Sequence, residues 1–335
     1  MPNARANLRI SVALCTHNGA SFVVEQVASI LGQSRPVDEI VLSDDASVDE
    51  TVALVRSTVT GHNASAASPV ELLVLRNPVA LGVVGNFEQA VTAATGDLIA
   101  LSDQDDIWHP DKVSALVDAF SADAPVALAF TDARLVDASG TPLPHSLFAV
   151  LGMTRREKRE LRDGRAFDAL LGRNLVTGAT AMFSRELLEV ATPFAPDWVH
   201  DEWLAALAAA TGGVRMLDAQ LIDYRQHGAN QIGASRLTLA RGVERVTEGR
   251  TARNARLLAR SRELVERLEK LGPAVSAPIL ADARAKLAHE ELRSSLPAGR
   301  IRRVPAVARE LLGGRYARYG RGVLDAGRDL IQPAR

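Results

Sequence analysis

The chain has 335 residues, of which 47% are hydrophobic and 24% are charged, with a formal net charge of −1. This supports a core for one large domain with an appendage or for two domains. The single cysteine, Cys15, excludes an internal disulfide and a zinc cluster, and no stretch reaches the roughly 20 apolar residues of a membrane span.

Strands and helices are predicted to alternate in the first hundred residues. Apolar runs indicate strands, and apolar positions at helical spacing indicate the helices between them. Strands are predicted at 8–15, 38–45, 70–77 and 97–103. Helices are predicted between them, at 21–33, 47–59 and 82–95. Ser47 and Glu50 have the spacing of a capping box. The alternation is typical of an α/β fold with a mainly parallel sheet flanked by helices.

The pattern from 126 to about 225 is less regular. Segments 126–137 and 214–228 both indicate paired strands, 174–187 a strand leading into a helix, and 200–211 a helix. We expect these elements to complete the domain that the first half begins.

After about residue 235 the chain is rich in Arg, Leu, Ala and Glu at helical spacing, which predicts a helical extension with a boundary near Gly233. Residues 236–335 contain 22 Lys/Arg and 11 Asp/Glu, a net charge of +11, and the rest of the chain carries −12. The sequence therefore combines an acidic body with a basic tail.

Acidic residues follow the fourth predicted strand, in the segment LSDQDDIWHPDK (101–112). Asp103 and Asp105 are two residues apart at a strand end, so both can project to one side. Paired carboxylates bind hard divalent cations, although a solvated acidic loop has the same composition. Polar residues also end the first two strands, and ligands of open α/β sheets bind at this edge.

Six motifs in chain order give the most specific signal. They are SVALCTHNGASFVVEQVASILGQS, EIVLSDDASVDET, NPVALGVVGNFEQAVTAATGDLIALSDQDD, NLVTGATAMFSREL, HDEWLAALAAA and YRQHGANQIG. Together they resemble GT-A glycosyltransferases of family 2, and SDQDDIW is similar to bacterial rhamnosyltransferase-like members. The resemblance implies a GT-A catalytic domain at 1–233, with a nucleotide-binding half at about 8–106 and an acceptor half at about 107–233. Residues 234–335 lie outside it.

The resemblance implies an inverting transfer of a sugar from a nucleoside diphosphate sugar. dTDP-rhamnose is the first expected donor, and UDP-sugars are the alternative. Asp105 is expected to bind Mg²⁺ or Mn²⁺, with Asp103 near the ribose or the cation. His227 is expected as a further ligand or a phosphate contact, against the alternative of an exposed loop histidine.

The nucleotide side of the predicted site includes Asp44, which we favour over Asp45 as the carboxylate that accepts from the pyrimidine N–H. The alternative for both is a pair of acids at a helix start. Arg76 is either a phosphate contact or a surface arginine. The complete predicted set for the nucleotide sugar is Thr16, Asn18, Asp44, Arg76, Gly82, Asn86, Asp103 and Gln104.

The predicted general base is Asp201 in HDEW, with Glu202 as its competitor, because an acceptor hydroxyl loses a proton as it attacks. The commoner family motif is HDWW, so Glu202 replaces an aromatic residue and leaves the acceptor identity open. Trp203 is expected either to line the acceptor groove or to pack in the core. The predicted acceptor side consists of Gly178, His200, Glu202 and Trp203.

The basic tail fits a solvated helical face, a nucleic-acid patch or an anionic membrane surface. We favour the membrane for 300–321, where arginines alternate with apolar residues, and we expect no nucleic acid because no stacking platform accompanies the charge. The expected acceptor is a glycan or a lipid-linked molecule of the cell envelope. The N-terminus lacks a signal-peptide pattern, so we expect a cytoplasmic enzyme, peripheral on the inner face of the membrane. The competing hypothesis is a non-catalytic nucleotide-sugar-binding or scaffold protein.

Overall fold

The computed structural model describes residues 8–120, 125–227 and 250–333. The strands are β1 (Ile10–Thr16), β2 (Glu39–Asp44), β3 (Glu71–Arg76), β4 (Leu98–Ser102), β5 (Ile107–Trp108), β6 (Leu128–Asp137), β7 (Pro142–Ser146), β8 (Ala181–Ser184) and β9 (Val214–Gln226). The first nine helices are α1 (Val23–Leu31), α2 (Thr51–Asn63), α3 (Gly82–Ala93), α4 (Lys112–Ala119), α5 (Leu147–Val150), α6 (Arg155–Arg162), α7 (Ala166–Gly172), α8 (Leu187–Ala191) and α9 (His200–Thr211).

The predicted parallel sheet is confirmed. Within the described residues the strands form one sheet in the order β3-β2-β1-β4-β8-β6-β9-β5, with β7 paired to β6. β1 runs parallel to β2 and β4, and β2 runs parallel to β3. β8 lies antiparallel between β4 and β6, so the sheet is mixed. Every residue of β1, β2 and β4 is buried, as expected for strands covered on both faces.

The two predicted strand pairs in the second half are wrong, since each segment is one strand. β6 and β9 run parallel, and the register between them shifts around Asp132. Polar residues inside these strands have the composition of turns, which is why the sequence predicted two strands in each segment. Arg134 instead donates to Asp223 across the two strands, with Nε 2.6 Å from Oδ1. The register shifts, which mark β-bulges or irregular pairing, explain why the apolar period is broken there.

The predicted capping box at the start of α2 is also wrong. The helix begins at Thr51, and its N-cap residue, Glu50, forms no side-chain capping hydrogen bond. Ser47 Oγ donates instead to Asp44 Oδ1 at 2.6 Å. The hydroxyl of Ser47 is therefore hydrogen-bonded to the buried carboxylate of Asp44 and does not cap the helix.

Contacts divide the chain into two compact units. The sheet unit contains the described residues of 1–164 and 175–234, and the helical unit contains those of 165–174 and 235–335. The predicted boundary near Gly233 lies outside the described residues, so that division stays a prediction. Besides α7, the helices of the helical unit are Arg250–Leu271, Ala277–Ser294, Arg300–Leu312, Arg315–Tyr319 and Val323–Ile331. Among the helices described, none has the length and apolar character needed to cross a bilayer.

The helical unit has a core of buried charges. The carboxylate of Asp329 accepts from Arg293 Nε at 2.7 Å and from Tyr316 Oη at 2.8 Å, and it pairs with Arg253. Arg303 donates to five main-chain oxygens. All of these side chains are buried. Burial of this kind is tolerated only while each charge keeps its partners.

We expect Asp329→Ala to lower the free energy of unfolding of the helical unit by about 3 kcal/mol or more, because Arg253 and Arg293 stay buried without their carboxylate. Hydrogen exchange of amides in 277–331, measured on the full chain, reports this loss. Glu269→Ala is the matched control, since it removes an exposed partner of Arg284 and should cost at most about 1 kcal/mol. Equal effects of the two variants would contradict the prediction.

Candidate active site

The carboxyl ends of β1 and β2 meet in a hydrogen-bonded cluster. Thr16 Oγ1 and Ser47 Oγ both donate to Asp44 Oδ1, at 2.8 and 2.6 Å, and Ser47 N donates to Oδ2 at 3.1 Å. Asn18 has a φ of 50°, and its N–H donates to Ser47 Oγ at 2.8 Å. The structure therefore brings Thr16, Asn18 and Asp44 together. Asp44 is fully buried and anchors the loop that follows β2.

Gln104 joins the loop after β4 to the loop after β1. Its Oε1 accepts from His17 N at 2.8 Å, and its Nε2 donates to His17 O at 3.1 Å. A Cβ on Gly19 would collide with the end of the Gln104 side chain, so a larger residue there would displace Gln104 from its hydrogen bonds to His17. The paired hydrogen bonds fix the position of the acidic segment relative to β1.

The other residues predicted for the nucleotide side have different surroundings. Asp45 accepts from Gly82 N at 3.0 Å at the start of α3, where negative charge is favourable. Asn86 is buried, and its Nδ2 donates to Ser43 O at 3.0 Å. Arg76 ends β3 with an exposed side chain. Gly82 and Asn86 thus position α3, whereas Arg76 is open to solvent.

Four acidic residues concentrate negative charge after β4 and at the start of α9. Burial, together with the charges of Asp105 and Asp201, raises the pKa of Asp103 to about 7. Burial, together with the charges of Asp105 and Asp103, also raises the pKa of Asp106 well above its usual value. Asp105 Oδ2 lies 2.7 Å from His227 Nε2. The cluster therefore favours a proton or a cation.

Lys112 supplies one resident cation that the sequence reasoning missed. It is fully buried, its Nζ donates to Ala179 O at 2.6 Å, and Nζ lies 3.5 Å from the centroid of the Trp108 ring. Burial lowers its pKa well below the usual value, against the pull of Asp106 and Asp103. The sequence offers no specific signal for this role, because a lone lysine in a polar motif is usually exposed.

Arg225 is the second missed cation. Its main-chain N donates to Asp106 Oδ1 at 3.0 Å, its Nε donates to Asp105 O at 2.8 Å, and its Nη2 pairs with Glu25 at 2.7 Å. Asp106 Oδ2 is left without a hydrogen-bond partner among the described residues. The side chain thus fixes the backbone of the acidic loop and leaves its carboxylates largely uncompensated.

Asp201 is held by two main-chain donors at the start of α9. Its Oδ2 accepts from Gly178 N at 2.9 Å, and its Oδ1 accepts from Glu202 N at 2.6 Å. These two hydrogen bonds fix the orientation of the carboxylate. The charge of Asp201 contributes to the raised pKa of Asp103, after burial and the charge of Asp105.

His200 and Trp203, both predicted for the acceptor side, are buried. His200 stacks on Phe87 with ring centroids 3.8 Å apart, and neither ring nitrogen has a hydrogen-bond partner within the described part of the chain. A Cβ on Gly178 would lie 2.8 Å from His200 Nε2. Trp203 is fully buried, and its Nε1 donates to Ala191 O at 2.8 Å, so its ring packs in the core.

His200 gives the fold a defined pH dependence. Burial lowers its pKa from 6.5 to about 3, so the unfolded chain binds this proton more readily and the free energy of unfolding falls as the pH falls below 6.5. At pH 4.5 this group accounts for a loss of about 3 kcal/mol. We expect His200→Phe to remove that part of the difference between pH 7 and pH 4.5 in urea unfolding. An unchanged pH dependence would contradict this.

The mixed, mostly parallel sheet flanked by helices has the architecture of the GT-A fold. The solved structure of S. aureus TarS 1–349 in complex with UDP-GlcNAc has a TM-score of 0.52 with this chain. The match covers 96% of this chain and 90% of TarS at 16% sequence identity, which shows the fold alone. The chain belongs to glycosyl transferase family 2, whose model matches residues 11–191.

Two curated relatives give the level of similarity within the family. An uncharacterized glycosyltransferase of Nostoc sp. is 28% identical over 67% of this chain and 66% of its own length. The dTDP-rhamnosyl transferase RfbG of Shigella flexneri is 31% identical over 31% of this chain and 36% of its own length. This chain therefore spans less than two thirds of the length of either relative.

Proposed function

We propose that this chain transfers a sugar from a nucleoside diphosphate sugar to a hydroxyl of a glycan or lipid-linked acceptor, with inversion at the anomeric carbon. The arrangement of Asp201 carries the proposal. Its carboxylate is fixed by Gly178 N and Glu202 N, and it lies close enough to Asp103 to raise that residue's pKa. A single displacement needs a general base beside the bound donor. Asp201 would supply that base next to the acids that we expect to hold the donor.

The proposed reaction is one displacement step. The acceptor oxygen forms a bond to the anomeric carbon while the bond from that carbon to the diphosphate oxygen breaks. The hydroxyl proton passes to a carboxylate oxygen of Asp201, which serves as general base. The two main-chain hydrogen bonds keep both oxygens in place, so little reorganisation is needed when the proton arrives.

We propose that Asp105 and His227 hold Mg²⁺ or Mn²⁺. Their facing atoms are 2.7 Å apart, and the surrounding carboxylates favour positive charge. No group of three or more His, Cys, Asp or Glu suited to a metal occurs in the ranges that the structure describes. Water and diphosphate oxygens would fill the other positions, as is common for Mg²⁺. A bound cation would offset the charge of the departing diphosphate.

The proposed donor is dTDP-rhamnose, with UDP-sugars as the second candidate. The similarity to a dTDP-rhamnosyl transferase supports the first, although it covers only 31% of this chain. Thr16, Asn18 and Asp44 form the polar cluster that we propose for the pyrimidine. We also propose a cytoplasmic location, which is consistent with a nucleoside diphosphate sugar as the donor.

A thermal-shift screen of dTDP-, UDP- and GDP-sugars, with and without Mn²⁺, tests the proposal. At 100 times the Kd, a correct donor should stabilise the fold by about 2.7 kcal/mol, and the purine nucleotide should not. No stabilisation by any pyrimidine nucleotide would contradict the proposed donor class. If the chain binds a donor but neither hydrolyses it nor transfers its sugar, the non-catalytic alternative would be favoured.

A further inference from the structure

Two helices of the helical unit bury charged side chains and expose apolar ones. In helix Arg300–Leu312 the buried side chains are Arg303, Val307 and Glu310, and in helix Val323–Ile331 they are Ala326 and Asp329. The exposed large apolar side chains are Ile301 (86%), Val304 (49%), Leu311 (36%), Leu312 (89%), Val323 (70%), Leu324 (63%) and Ile331 (67%). This reverses the arrangement of an ordinary surface helix, whose apolar stripe faces the core.

Four exposed residues form a continuous stripe, here called the terminal apolar face: Ile301, Val304, Ala308 and Leu312. Their spacings of 3, 4 and 4 residues place them on one side of the helix. The buried residues Arg303 and Glu310 lie on the opposite side, where they bond within the unit. These polar contacts and the burial of Val307 hold the helix in place, and the four side chains of the terminal apolar face stay exposed.

Arginines flank the terminal apolar face. Arg300, Arg302 and Arg309 are exposed and form no ion pair within the described residues. At 100° per residue they lie roughly 80–100° around the helix from Ile301. The acids of residues 300–331 are Glu310, Asp325 and Asp329, and all three are paired with arginines of the unit. Exposed charge around the face is therefore positive.

We propose that the terminal apolar face docks on an anionic lipid surface. Its apolar side chains would enter the boundary between headgroups and acyl chains, and the arginines would meet lipid phosphates from their flanking positions. Each basic side chain near such a surface strengthens binding by about fivefold. A symmetric contact with a second copy fits less well, because it would place arginines against arginines. The same surface would present a lipid-linked acceptor, and this link alone rests on the proposed function.

Co-sedimentation of the full chain with vesicles tests the proposal. We expect binding to phosphatidylcholine vesicles that contain phosphatidylglycerol, and little binding to pure phosphatidylcholine. Ile301→Ser/Leu312→Ser should weaken binding by about tenfold or more, from the lost apolar burial. Arg302→Ala/Arg309→Ala should weaken it by roughly 25-fold at low salt and less at high salt. Val79→Ser, which removes a 75% exposed apolar side chain of the sheet unit, should bind like wild type.

Three results would overturn the proposal. These are no binding to anionic vesicles, equal binding by wild type and Ile301→Ser/Leu312→Ser, and a wild-type oligomer that the same double variant dissociates. The last result would assign the face to a second copy. Folding of both double variants is checked by circular dichroism, and the exposed positions make unfolding unexpected. The assay needs no donor and no turnover, so its failure is separate from a failure of the proposed transfer reaction.

Discussion

Asp201→Asn is expected to lower the kcat of sugar transfer by about 10³-fold, because the amide cannot take the proton of the acceptor hydroxyl. Donor affinity should change by less than about threefold, since the acids after β4 stay in place. The amide keeps only one side-chain oxygen, so either Gly178 N or Glu202 N loses its hydrogen-bond acceptor. A stability loss of about 1–3 kcal/mol should therefore accompany the kinetic effect. Steady-state kinetics, calorimetry with the donor nucleotide and urea unfolding separate the three quantities.

Glu202→Gln is the matched control for Asp201→Asn. Glu202 is the competing base, and its own N–H is one of the two donors to Asp201. The variant keeps that N–H, so the carboxylate of Asp201 stays fixed and transfer should remain within about threefold of wild type. A large loss in Glu202→Gln with full activity in Asp201→Asn would move the role of base to Glu202.

The part of the site that the sequence could predict follows from strand ends. Apolar runs locate β1, β2 and β4, and the polar residues after them must meet at one edge because parallel strands place their carboxyl ends together. This reasoning predicts that Thr16, Asp44 and Asp105 lie at that edge, whereas their roles are implied by the family resemblance. This inference needs only local patterns and a topology rule.

The partners of the acids could not be predicted in the same way. Arg225 bonds to Asp105 O and Asp106 Oδ1 across about 120 residues of sequence. Lys112 is buried because its Nζ reaches Ala179 O, 67 residues away. Neither contact has a local signature, since a lone basic residue in a polar motif is usually exposed. The register shifts between β6 and β9 depend likewise on tertiary pairing.

The helical unit shows a second limit of sequence patterns. Helical spacing locates helices, but the same pattern fits either face against the core. In helix Arg300–Leu312 the buried residues are Val307 and the charged Arg303 and Glu310, and both charged side chains have partners on other helices. Only the network around Asp329 decides that the polar side faces inward. Composition therefore predicts a basic helical region but not its exposed apolar stripe.

Asp105→Ala is expected to abolish the metal dependence of donor binding and to lower kcat/KM by on the order of 10³-fold, several kcal/mol of stabilisation in the transition state. The variant removes one of the two proposed metal ligands and leaves His227 Nε2 without the carboxylate 2.7 Å away. Calorimetry of the donor nucleotide with and without Mn²⁺ measures the first effect. Wild type should bind more tightly with Mn²⁺, and the variant should bind equally in both conditions.

Asp111→Ala provides the control for Asp105→Ala, because Asp111 belongs to the same acidic segment but is exposed and accepts from Ser34 Oγ at 2.8 Å. It should keep the effect of Mn²⁺. His227→Ala should reproduce the loss seen in Asp105→Ala, and the double variant should add little, since groups that share one ion are not additive. An unchanged effect of Mn²⁺ in Asp105→Ala would contradict the assignment. Additive losses would mean instead that His227 acts apart from the cation, as a contact to the diphosphate.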